Sequence, residues 1–455
     1  MKPEPTLRLI DIIANAFNAL NVYASLSETE LLASIVYKAM AGESRYFHTT
    51  EHILRMADST TPIQALAALF HDIVYHQVDS GFVPDIYLLI SSYIQEKEDG
   101  IFIADYIEPA EKLVYIALDI FGFSPGQKLA YATGLNEFLS ALVMAKSLER
   151  IIPVENILRI MACIEATIPF RGINENGEGP FEILENRIKK VNQNTQIGLS
   201  DKEIVAVIQS AILFANKDVE SFREKDPAVF LVDTWKLIPE TNVALRSSEI
   251  YTIRDYRIAL QKTDKFFNFV NPGDIFHCYK GVPPDDEYRQ MVKRARSNIS
   301  TAREYLGVKL LSIAILEALA EITGGDAPLS LFMGGIQQRG ENGKRIEDFL
   351  PPIAMTDSVV ILTQVFKLLE TGRAGETNFD MSYSPLSGYL YKSLGMYRIH
   401  FYLETAEEMF SGKKTPLEFL EAVDSNMISI IASACAEMVP TRREQLLQYA
   451  QKRMV

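Results

Sequence analysis

The chain has 455 residues, 48% hydrophobic and 23% charged, a globular balance that excludes disorder over most of its length and favours two domains over one. Its 45 basic and 59 acidic side chains give a net charge of −14. General nucleic-acid binding and anionic membrane binding are therefore disfavoured, and an anionic partner is expected to be small and held by local cations or a metal.

Helical periodicity dominates from the start. Leu7, Ile10, Ile13, Ala14, Phe17 and Leu20 form a stripe broken by Arg8 and Asp11, which predicts a helix over 6–20 and not a signal peptide. Ser27 with Glu30 predicts a capping box for a helix ending near Met40, and Ser200 with Glu203 predicts a second for a helix reaching about Phe222. Pro62, Pro84, Pro109, Pro125 and Pro153 stand where helices open, since a first-turn residue needs no N–H. The segment 229–232 is the best strand candidate and reads equally well as a helical turn. Later helices are predicted over 284–305, 309–322, 357–369, 386–410 and 416–438. The expectation is an all-α fold. The most apolar stretch, 306–322, carries Lys309, Glu317 and Glu321, so no membrane span is predicted. Cys163, Cys278 and Cys435 lie far apart without paired spacing, as in core positions of a cytoplasmic protein.

The soft region 239–248 predicts a domain boundary, giving domains 1–245 and 246–455. Two Gly/Asn-rich breaks, 171–180 and 324–344, read as loops. The second lacks the GxxxxGK[ST] spacing of a phosphate loop and is expected to be exposed or to cover a substrate. Beyond about Ser248 no chemistry is evident. Tyr389, Leu390, Leu394, Tyr397, Phe401 and Tyr402 predict a packed structural domain or a homodimer surface.

Four of the six histidines fall between His48 and His76. RYFHTTEHI at 45–53 puts His48 and His52 one helical turn apart, and ALAALFHDIVYH at 65–76 ends an apolar helix on His71 and Asp72. Nitrogen from His and oxygen from Asp can meet on one ion. His277 and His400 lack such neighbours and read as structural.

The two motifs resemble the HD superfamily of metal-dependent phosphohydrolases. The likeness is to bacterial proteins with YHxxxHI followed by FHDxVY, and more distantly to cyclic-nucleotide phosphodiesterases. The resemblance implies an HD-type helical domain in which His52, His71 and Asp72 hold a divalent ion and His48 protonates the leaving oxygen. It implies a late acidic ligand from the helix that ends SAILFANKDVESF. Asn216 stands where the family's Asp follows Ala215, and Asp218, in phase with Phe214, Ala215 and Phe222, is the favoured alternative. Arg45, Lys217 and Arg171 are the cations nearest the motifs, and Thr167 lies in a passage that resembles one in related proteins. These four are the expected substrate contacts. His76, Glu51, Asp79 and Asp85 are secondary candidates for supporting the site.

Mixed imidazole and carboxylate ligands suit Mn, Fe, Co or Zn at a first position, with Mg or Mn at a second. The absence of histidine between His76 and Asn216 disfavours a closed di-iron site. No GxSxG motif or local cysteine signature supports a nucleophilic hydrolase. The expected function is hydrolysis of a small phosphomonoester or phosphodiester such as a nucleotide. The alternative is a catalytically silent HD-fold protein that senses a ligand or binds a partner.

Overall fold

The computed structural model describes residues 4–247, 250–335, 343–353 and 363–454. Among the described residues the fold is all-α, with one two-stranded sheet and no helix long and apolar enough to cross a membrane. The chain divides into two compact units, Met1–Arg223 with Asn271–Ala295 and Glu224–Val270 with Arg296–Val455. The division thus falls at Glu224 and not near residue 245, and the segment 271–295 returns to the first unit. Pro239, expected at the boundary, lies inside a helix.

The first unit is built from α1 (Pro5–Ala19), α2 (Leu26–Met40), α3 (Thr50–Ala57), α4 (Pro62–Phe70), α5 (His76–Asp79), α6 (Pro84–Ile90), α7 (Lys112–Phe121), α8 (Leu135–Leu148), α9 (Val154–Ala166), α10 (Pro180–Thr195) and α11 (Asp201–Asp218). In α1 the buried face is Leu9, Ile13, Ala16 and Phe17, while Leu7 is exposed. The capping box of α2 is Ser25 with Glu28, two residues before the expected pair. The motif S-x-x-E occurs there in two registers, and the local pattern does not choose between them. The box at Ser200 and Glu203 opens α11 as predicted. Pro62 and Pro84 occupy first turns. Pro125 does not: its turn leads residues 127–129 back along a hairpin of β1 (Ile94–Lys97) and β2 (Gly100–Ile103). That hairpin escaped the periodicity, because four-residue strands are too short to show alternation. The core of this unit draws on α1 to α4 and α7 to α11, with Phe70, Phe138, Met161 and Ile208 sealed from solvent.

The second unit contains α12 (Pro227–Thr241), α13 (Ile253–Phe269), α15 (Leu329–Met333), α16 (Gln364–Thr371), α17 (Pro385–Phe410), α18 (Pro416–Ala422), α19 (Ser425–Met438) and α20 (Arg443–Met454). The long helix α14 (Asp285–Thr323) carries residues of both units. The 229–232 segment is helical, within α12. Two helices expected around Gly307 are one, since Tyr305, Leu306 and Val308 are all fully buried and Leu403 packs close against Gly307. Tertiary packing there outweighs the ~1 kcal/mol helix penalty of one glycine. The helix expected over 416–438 is broken between α18 and α19 by Asp424, which caps the second. Parts of the predicted 357–369 helix and of the 324–344 loop lie outside the described residues. Cys163 and Cys435 are buried and Cys278 is half-buried.

Candidate metal centre

Three segments supply the site. α3 carries His52 on its buried face. α4 is started by a Thr61–Gln64 capping box with Pro62 in its first turn, and its sealed run 66–70 delivers His71 as the C-cap and Asp72 just beyond. α11 brings Asp218 at its last position. Gln64 Nε2 donates to Ser210 O at 2.9 Å, tying α4 to α11.

Four side chains converge. His71 Nε2 lies 3.0 Å from Asp72 Oδ2 and 3.4 Å from Asp218 Oδ1. His52 Nε2 lies 3.5 Å from Asp72 Oδ2 and 3.3 Å from Asp218 Oδ1. The ligand atoms of His52, His71 and Asp218 all fall within 4.8 Å of one another, the spread of donors around one ion. The imidazoles are buried, while the carboxylates keep 19% and 20% side-chain exposure, so the cluster opens to solvent on its acidic side.

The donors fit a metal. His71 Nδ1 pairs with Ala68 O at 3.0 Å. As donor there, it leaves the Nε2 lone pair facing the carboxylates, the tautomer a metal ligand needs. His52 Nε2, His71 Nε2 and Asp72 Oδ2 are sealed from water and make no hydrogen bond, a costly arrangement that an ion would satisfy. Electrostatics point the same way. Burial would raise both carboxyl pKa values, yet the three histidines around Asp72 and the His52 and His71 contacts to Asp218 hold both below the ordinary carboxylate range. Burial would lower the His71 pKa, but the negative charges of Asp72 and Asp218 beside it raise it well above its ordinary value.

His48 lies in the bend before α3 and not on it. Its ring centroid is 5.9 Å from that of His52, and it meets Tyr75 edge-on at 4.4 Å. It stands beside the cluster, near enough for its charge to act on Asp72.

The expected substrate contacts are engaged elsewhere. Arg45 is buried; its Nε and Nη2 donate to Asp79 at 2.9 and 2.6 Å and its Nη1 donates to Asp72 O at 2.8 Å. It braces the turn that presents Asp72, and no free guanidinium faces a ligand. Arg171 donates to both carboxylate oxygens of Glu165, at 2.6 and 3.1 Å, and to two backbone carbonyls. The Thr167 hydroxyl donates to Ile164 O at 2.8 Å at the end of α9. Lys217 Nζ donates to the carbonyl of Asp58, the C-cap of α3. Each spends its polar atoms on helix ends or buried acids, which one-dimensional proximity could not reveal.

Asn216 is not in the cluster. Its side chain accepts from His277 N at 2.9 Å and donates to His277 O at 2.8 Å, fastening the returning segment 271–295. Of the secondary candidates, Glu51 pairs with Arg8 and Asp85 with Lys38 at the surface. Asp79 holds Arg45, and His76 Nδ1 lies 3.0 Å from the Tyr131 hydroxyl. The His277 ring meets Phe181, and burial and the Arg171 charge lower its pKa to about 4.

One residue near the site went unread in the sequence. Glu137, in the first turn of α8, has a sealed Oε2 without a hydrogen-bond partner. Burial, reinforced by the charges of Asp72 and Asp218 and opposed by Arg171, pushes its pKa up to about 7. A first-turn Glu reads as an ordinary complement to the helix dipole, so no local signal marks it.

Comparison of the chain with protein-family models, curated proteins and solved structures finds no match.

Proposed function

We propose that the first unit is an HD-type, metal-dependent phosphohydrolase acting on a small phosphomonoester or phosphodiester. The observation that carries this reading is the convergence of His52, His71, Asp72 and Asp218, with His52 Nε2, His71 Nε2 and Asp72 Oδ2 sealed and without hydrogen bonds. These four residues would hold a divalent ion of the Mn, Fe, Co or Zn type. Bound there, it would supply Lewis acidity that eases ionisation of a water and polarises a phosphoryl oxygen.

The chain's own groups divide the remaining work. Ala68 O fixes the His71 tautomer, and Arg45 holds the Asp72 carbonyl, so the donors are preorganised. His48, whose ring lies 5.9 Å from that of His52, would give a proton to a leaving oxygen. Glu137, whose carboxyl is buried and whose pKa is raised in part by the Asp72 and Asp218 charges, would be a second candidate for proton exchange. With the expected cations committed to structure, the phosphate charge would be met mainly by the metal, which suits an acidic protein.

The test is metal content by plasma mass spectrometry on protein purified without a metal-binding tag, beside Asp72→Ala, followed by a screen with p-nitrophenyl phosphate and bis(p-nitrophenyl) phosphate. Near-stoichiometric metal and phosphoester turnover, both lost in the variant, are expected. Wild-type protein that takes up no added Mn²⁺ or Zn²⁺ sinks the reading. Metal binding without any turnover would leave the ligand-sensing alternative.

A further inference from the structure

The second unit contains a separate concentration of buried charge. Asp380 Oδ2 accepts from Trp235 Nε1 at 2.7 Å and from Lys309 Nζ at 3.0 Å, and Arg373 Nη1 lies 3.3 Å away. Lys309 and Arg373 are about 5% and 4% exposed. Arg373 is fixed from behind by the Tyr305 hydroxyl and the Met381 carbonyl, with its guanidinium over the Trp235 ring. Two buried cations thus share a single carboxylate, and both lean on that carboxylate's one oxygen.

A cavity of about 50 Å³ opens at this point. Lys309, Asp380, Ser312, Ser384 and Ser387 are among its lining, with tyrosines and with apolar groups including Leu329 and Phe379. Lys309 Nζ donates to Ser384 Oγ at 2.8 Å, and the Ser312 and Ser387 hydroxyls pair at 2.9 Å. All three serines are nine-tenths or more buried. The Tyr256 hydroxyl, also on the wall, is sealed beside Asp380. Hydroxyls and an ammonium group beside empty space make an oxyanion site, because a buried surplus cation is costly until an anion meets it.

We propose that this cavity binds a small organic carboxylate. The surplus is one positive charge, which a carboxylate neutralises and a phosphate dianion would overshoot. At ~10–15 Å³ of such volume per water, the space takes a group of a few heavy atoms. The apolar wall favours a short hydrocarbon tail over a fully hydrated ion. Ser312 donates to Lys309 O and accepts from Ser387, whereas Ser384 accepts from Lys309 and from the Tyr305 hydroxyl and keeps its own O–H for the second carboxylate oxygen.

Calorimetric titration and thermal shift of the full chain with butyrate, butyramide and inorganic phosphate test this. Butyrate is expected to give saturable binding and a raised Tm, whereas isosteric butyramide gives neither. Lys309→Met should weaken butyrate binding at least tenfold while the chain stays folded, because the remaining Arg373–Asp380 pair is neutral. Should that variant fail to fold, Ser384→Ala, expected to weaken binding severalfold, decides the matter. Asp72→Ala should leave butyrate binding unchanged, which separates this pocket from the metal centre. No saturable binding of butyrate, equal binding of butyramide, tighter binding of phosphate at this site, or full binding by folded Lys309→Met would each overturn the proposal.

Discussion

Asp218 and Asn216 sit two positions apart on one helix, and their environments differ completely. Asp218 faces two imidazoles, while Asn216 clamps both backbone groups of His277. Asp218→Asn is therefore expected to lose bound metal in mass spectrometry with the fold intact. Asn216→Ala should keep its metal ligands but lose ~1–3 kcal/mol in urea denaturation, because two buried backbone groups lose their partners. Arg45→Met leaves Asp79 without its buried partner and frees the Asp72 turn. A loss of ~3–5 kcal/mol is expected, accompanied by weaker metal retention on dialysis against chelator.

Glu137 gives a pH signature. Its pKa rises from 4.5 to about 7 on folding, so the stability it contributes is complete below pH 4.5 and is lost as pH climbs through 7. In metal-free protein Glu137→Gln should match wild type near pH 4.5 and be more stable by about 3 kcal/mol at pH 8, measured by thermal denaturation across that range. Equal pH profiles for the two proteins would refute this ionisation. The pairing of His71 with Asp72 was legible because the two residues and their apolar helix are consecutive. Glu137, Asn216 and the true partners of Arg45 were not, since their roles depend on groups 27 to 81 residues away, from Arg45–Asp72 to Glu137–Asp218.

At the scale of elements, the helices were readable where capping chemistry and apolar spacing agreed, as in α4 and α11. They were misplaced where two capping registers competed at α2, or where a glycine suggested a break that packing overrides in α14. The reverse case is Gly395, which interrupts α17 with φ 68° and ψ 162°. That backbone region is almost reserved for glycine. Gly395→Ala is expected to cost ~1–3 kcal/mol, read from the urea midpoint, although no atom would crowd the added methyl.

At the scale of the whole molecule, the first unit is discontinuous. A chain ended at Glu240 would lack 271–295, and with it the His277 backbone that Asn216 clamps and Tyr279, which donates to Glu185. It would also expose α12 without the rest of its unit. Such a truncation is expected to aggregate in size-exclusion chromatography and to lose metal, while the full chain does neither.

The amino-acid order alone determined the all-α class and set His71 beside Asp72 at a helix end, because helix periodicity, caps and sequence neighbours are local properties. Tertiary structure decided that Asp218 and not Asn216 joins His52, His71 and Asp72, and it decided the disposition of the four expected substrate contacts, the unit boundary and the buried Lys309–Arg373–Asp380 cluster. Those depend on which distant groups satisfy a buried charge or an open backbone bond, and such partners meet only when the chain has folded.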